Sequence, residues 1–309
     1  MGNKNDSNKN KLKNEIPNNT PNYLENIKSK YILKKIFDCI YESKLLNIIR
    51  KNKALQKKLD ISLNDYKDNS EIELKIEPIQ NIYGKFINIE NKKEKKYFHI
   101  FFNENKKETK RNYIKEKEQV HQIKIIIDYK INSFYNLFKD CDCILSIDFI
   151  RFKRNNIKSM NKMFLNCSTH KLNLHNFNTD NVNDMSGMFK GCSELTELDL
   201  SKFNTASVTY MASMFKHCTQ LKELNLSNFN TSNVISMYHM FSNCKSLKEL
   251  NISSFNTDKL TDYIGMFYNC PFIKELDLDV FKIKNTKDLA NIYSSYEGEF
   301  EIKEVEQID

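Results

Sequence analysis

The chain has 309 residues and a net charge of +8, with 40% hydrophobic and 28% charged residues. Six Gly and four Pro exclude a collagen-like or Gly/Pro-rich low-complexity chain, and no apolar run reaches the roughly 18 residues that a membrane-crossing helix needs. The charge is uneven: residues 1–130 carry 29 Lys and Arg against 18 Asp and Glu, whereas residues 131–309 carry 19 against 22.

The basic half could point to nucleic acid or an acidic membrane surface. Its lysines are scattered among Glu and Asn rather than gathered in a stripe, so a solvated surface is the simpler reading. Residues 1–27 are rich in Asn and Lys and lack apolar periodicity, which predicts a disordered tail and no signal peptide. That implies a cytoplasmic chain with reduced thiols. Gly2 follows Met1, but Asp6 stands where a myristoylation pattern has Ser or Thr, with Ser7 one place late.

Residues 28–70 carry helical stripes: Ile32, Leu33, Ile36, Phe37 and Ile40; then Leu45, Leu46, Ile48 and Ile49; then Leu55, Leu59, Ile61 and Leu63. The segment KYILKKIFDCIYESKLLNIIRKNKALQKKLD resembles an F-box in its I-L-x-x-I-F and L-L-x-I-I strings, although the initial Leu-Pro and the late Trp are missing. The resemblance implies docking of residues 29–66 onto a ubiquitin-ligase scaffold. The alternative is a plain helical hairpin covering the end of the repeats that follow. In residues 71–130, EIELKI, KFINI, YFHIFF and QIKIIIDY are strand-like runs separated by polar turns, which predicts a small antiparallel sheet and N-terminal cap.

An internal repeat dominates residues 131–296. Phe-x-x-Cys recurs at Cys141, Cys167, Cys192, Cys218, Cys244 and Cys270, with spacings of 26, 25, 26, 26 and 26. Phe152, Phe177, Phe203, Phe229, Phe255 and Phe281 keep the same beat. Within one unit, Leu224-x-Leu226 reads as a very short strand with both leucines inward. Asn-Phe-Asn-Thr-Ser-Asn is turn chemistry. Val234, Met237, Met240, Phe241 and Cys244 are spaced by three or four residues, which predicts one face of a short helix. A unit of this size cannot bury its own apolar face, but stacked units can. The predicted fold is therefore an α/β solenoid, a leucine-rich-repeat-like stack of about six coils of 25–26 residues. A small helical segment and a short antiparallel β region precede it.

Leu195 to Cys218 (LTELDLSKFNTASVTYMASMFKHC) and Leu221 to Cys244 (LKELNLSNFNTSNVISMYHMFSNC) closely resemble the BspA-type leucine-rich repeat. Members of that family bind other proteins, which also raises a surface adhesin and a cell-surface location by analogy. The terminal units are degraded: Ile147 to Met160 loses the Asn-Thr pair, and the last coil has Thr286 and Leu289 at the Val and Met positions. Residues 297–309 form an acidic tail.

Catalytic chemistry is not indicated. The six His form no HExxH and no paired Cys/His set, Cys141-Asp-Cys143 is too close and too isolated for a zinc site, and six glycines build no phosphate loop. No cofactor and no metal are expected. The expected function is binding of a protein partner through the strand face. The side chains flanking the strand leucines point outward: Glu197, Asp199, Glu223, Asn225, Glu249, Asn251, Glu275 and Asp277. This acidic row suits a basic partner and repels nucleic acid. Lys222, Lys248 and Lys274 offset part of it, so a merely solvated Lys/Glu face is the competing reading. Inside, the six cysteines from Cys141 to Cys270 and the column Phe177, Phe203, Phe229 and Phe255 are expected to form structural ladders.

Overall fold

The computed structural model describes residues 27–29, 52–59, 70–273, 281 and 286–294. The chain divides into two compact units, Met1–Tyr66 and Lys67–Asp309. Within the first, helix α1 (Lys53–Leu59) is capped by Asn52, whose Oδ1 accepts the Leu55 N–H at 3.0 Å. The rest of the F-box-like segment lies outside the described residues.

The second unit begins with strands β1 (Ile72–Pro78), β2 (Gly84–Lys85), β3 (Phe98–Phe102), β4 (Tyr113–Ile114) and β5 (Ile123–Ile127). Strands β6 (Ile144–Arg151) and β7 (Lys171–Asn173) belong to the repeats, as do β8 (Glu223–Asn225) and β9 (Glu249–Asn251). One sheet has the order β3-β5-β1-β6-β7. β1 pairs antiparallel with both β5 and β6, while β6 pairs parallel with β7. Alternate residues of β1 and β5 are buried, which is what their Ile/Leu alternation demands. The KFINI run contributes only Lys85 to a strand; Phe86 and Ile87 are buried outside it. The β region thus fuses with the first repeat strand, β6, which pairs antiparallel with β1 on one side and parallel with β7 on the other.

In the last coil the predicted helix forms, at Thr286–Tyr293, but in the preceding described units it is absent. In its place a run of tight turns carries a hydrogen-bond ladder to the next unit. Met211, Ser213, Phe215 and His217 donate their N–H groups to Ser236, Tyr238, Met240 and Ser242 at 2.7–3.0 Å. Met214, Lys216 and Cys218 instead close turns onto residues three back. An α-helix would point every N–H along its own axis. Here alternate N–H groups are turned outward because two residues per unit have positive φ: Ser213 (56°) and His217 (63°), Gly187 (60°) and Gly191 (73°), His239 (52°) and Asn243 (62°). Such a conformation breaks a right-handed helix and favours Gly and Asn. At Gly191 a Cβ would lie 2.2 Å from Asn166 Oδ1, so any other residue there would displace that side chain. Bridges from Ser133 through Ser159, Asp184, Tyr210 and Ser236 to Asp262 run along this side without a break.

The apolar positions of these turns still face inward. Phe138, Phe164, Phe189, Phe215, Phe241 and Phe267 stack nearly parallel, with centroids 5.4–5.7 Å apart. A second column stacks Phe177, Phe203 and Phe229 at 5.4 and 6.4 Å, with Phe255 buried at the next position. Between them lies a polar staple. Buried Thr205 donates Oγ1–H to the Asn230 carbonyl at 3.0 Å and accepts the Asn230 N–H at 2.8 Å. Thr179 and Thr231 do the same to Asn204 and Asn256. The fold is predominantly sheet and turn with few helices, and its periodic aromatic stack fits a repeat architecture. Helix α2 (Thr286–Tyr293) ends the described part, offering the Asn291 and Ile292 carbonyls to the Gly265 and Phe267 N–H groups.

Candidate functional site

The strand side of the repeats forms an open groove of about 1020 Å³. Its walls hold Glu197, Asp199, Glu223, Asn225, Glu249 and Asn251, six of the eight outward residues read from the sequence. Glu275 and Asp277 lie outside the described residues. Leu172, Leu198, Leu224 and Leu250 also line it, with Leu224 buried and Leu198 and Leu250 half-buried rather than fully inward.

Register fixes the rows. β8 and β9 pair in parallel, setting Glu223 beside Glu249 and Asn225 beside Asn251. One unit earlier the equivalent residues are Glu197 and Asp199, but this segment is not part of a strand. Lys171 and Lys248 also line the groove. Lys171 lies one 26-residue repeat before Glu197 and is placed by carrying the beat back one unit. The described wall therefore carries four carboxylates against two lysines. Asp199 accepts the Ser201 N–H at 2.9 Å, and that bond, more than the neighbouring His175, holds its carboxyl below the ordinary carboxylate range.

Residues 132–224 and 222–303 each match a family described as Mycoplasma protein of unknown function, DUF285. Together the two matches take in more than half of the chain. The chain belongs to the DUF285 family. No curated protein matches it, and no solved structure does.

Within the DUF285 repeats the cysteines form a buried file beneath this surface, with Cys270 half-buried. Cys192, Cys218 and Cys244 each donate S–H to a Phe carbonyl of the preceding unit at 3.1 Å, and Cys270 does so at 2.9 Å. The thiol is therefore a donor as well as a small apolar group. Burial pushes Cys167 up to about 12 and Cys270 up to about 11, and holds Cys192, Cys218 and Cys244 well above the ordinary thiol range. Such thiols are poor nucleophiles and poor metal ligands at neutral pH. No group of three or more potential metal-ligating side chains occurs among the described residues. No helix among them is long and apolar enough to cross a membrane.

On the turn side, His217 and His239 sit near Lys190 and Lys216. Burial, reinforced by these lysines, lowers both imidazole pKa values. Gly265 leaves room for the His239 ring, which a Cβ there would meet at 2.5 Å.

Proposed function

We propose that this protein is a non-enzymatic binding module whose repeats form a solenoid of the BspA-like leucine-rich-repeat kind and hold a basic protein partner in the strand-side groove. One observation carries this reading: Glu197, Glu223 and Glu249 occupy the same position in three successive units and line one open groove with a leucine-bearing floor. Like charges side by side in a sheet are destabilising, so the row costs folding energy that a basic partner would repay.

The test measures binding of a fluorescent Lys-rich peptide to the full chain at two salt concentrations, beside an acidic peptide of equal length. The E197Q/E223Q/E249Q variant should lose the basic peptide and most of the salt dependence. Unchanged binding by that variant would leave the row as a solvated face.

A further inference from the structure

Resting on that acidic-groove reading, we infer that the groove takes its partner as an α-helix lying along the stack, with one Lys or Arg per turn meeting one carboxylate per unit. The argument is a match of periods. Stacked Phe rings step by 5.4–5.7 Å per unit along the turn-side column. Beside the groove the steps are 5.4 Å for Phe177–Phe203 and 6.4 Å for Phe203–Phe229. Paired strands such as β8 and β9 lie about 4.8 Å apart. The 6.4 Å step is the one from the Glu197 unit to the Glu223 unit, and Glu223 and Glu249 are ladder-paired, at the ordinary strand spacing of about 4.8 Å. The row from Glu197 to Glu249 therefore spans about 11 Å. Two turns of α-helix advance about 10.8 Å. An extended chain shows the same face every ~6.7 Å, so two such steps run to about 13 Å and drift out of register with the row.

The second row supports the same occupant. Asp199, Asn225 and Asn251 flank the carboxylates on the far side of the leucines. They give hydrogen-bonding groups to polar side chains on either flank of a helical basic stripe. Between the rows the half-buried Leu198 and Leu250 offer apolar surface to the helix body, while Leu172 and Leu224 lie buried beneath it. Lys171 ends the row with the opposite sign on one side, and the described part of the row matches three basic residues over two turns.

Two peptides of equal length and charge separate the possibilities. One carries Lys at i, i+4 and i+7 in an Ala/Gln background that favours helix. The other carries Lys at alternate positions with a central Pro. Binding to the full chain is read by fluorescence anisotropy at low salt. The helical peptide should bind about tenfold tighter, the size expected for three exposed ion pairs held in register. The preference should vanish in E197Q/E223Q/E249Q, with circular dichroism showing that the variant is folded. K171E should add a fourth carboxylate and tighten a peptide extended by one basic turn. Equal or reversed preference between the two peptides would overturn the helical inference while leaving the acidic groove standing. A preference that persists in the triple variant would overturn it too. Binding of neither peptide would overturn both.

Discussion

The Thr staple gives the most decisive test of what holds the repeats together. Thr205 is fully buried, and its hydroxyl both donates to and accepts from the backbone of Asn230, one unit on. Thr205→Val keeps the shape and removes both bonds. Two backbone groups of Asn230 lose their partner, at about 1–3 kcal/mol for each fully buried group. Asn230 itself lies at the surface, where water recovers part of that cost. The expected loss is therefore about 2–3 kcal/mol in total. Thr205→Ser keeps the hydroxyl and removes one methyl, worth about 0.8 kcal/mol. Urea unfolding of the full chain, followed by circular dichroism, should rank wild type above Ser and Ser above Val, with the m-value unchanged. If packing alone mattered, Val would equal or exceed wild type and Ser would be the weaker variant. That order would refute the staple.

Phe215→Ala removes a ring stacked on both sides, at 5.7 and 5.5 Å, and should cost about 3–5 kcal/mol in the same assay. Cys218→Ser keeps a donor for the Phe189 carbonyl and should therefore be milder than Cys218→Ala, and iodoacetamide at pH 8 should label the buried thiols only on unfolding, with Cys270 first among the described ones. Burial and nearby lysines depress the folded pKa of His217 and His239, so the unfolded chain binds more protons below about pH 6.5 and stability should fall as pH drops through that value. The midpoint of thermal unfolding at pH 7.5 and 5.5 checks this, and His239→Asn, which tolerates the left-handed backbone, should flatten the slope.

The repeat, its beat and the inward file of Cys and Phe were legible because burial leaves a fixed residue type at a fixed spacing. Six groove residues were legible for the same reason, since alternation about the strand leucines fixes which side chains point out. Before the last coil the expected helix is absent although its apolar spacing is real. A spacing of three or four is shared by a helix and by a chain of tight turns, and only the left-handed positions tell them apart. Gly187, Gly191, Gly265, Asn166, Asn243 and Asn269 stand at those positions, in the residue types that tolerate them. The Thr staple read as turn chemistry because a single unit holds only half of it: the hydroxyl sits in one unit and its backbone partners in the next.

The two sides of the stack divide the work. On the turn side the bridges run unbroken from Ser133 to Asp262, and alternate backbone N–H groups bond across units. On the strand side the ladder is interrupted at Glu197–Asp199, between β7 and β8. Turn-side backbone bonding, ring stacking, Thr staples and thiol donors join the units throughout, whereas the groove wall joins them only at β6–β7 and β8–β9. Stability in a repeat array sums over intrinsic and neighbour terms, so a strand face that contributes little of that sum is free to carry residues chosen for another purpose. The outward positions show this freedom: the equivalent site holds Lys171 in one unit and Glu197, Glu223 and Glu249 in the next three, while the inward Cys, Phe and Thr recur. A row of like charges over a broken ladder is tolerable only where the fold is secured elsewhere. This chain secures it on the opposite side.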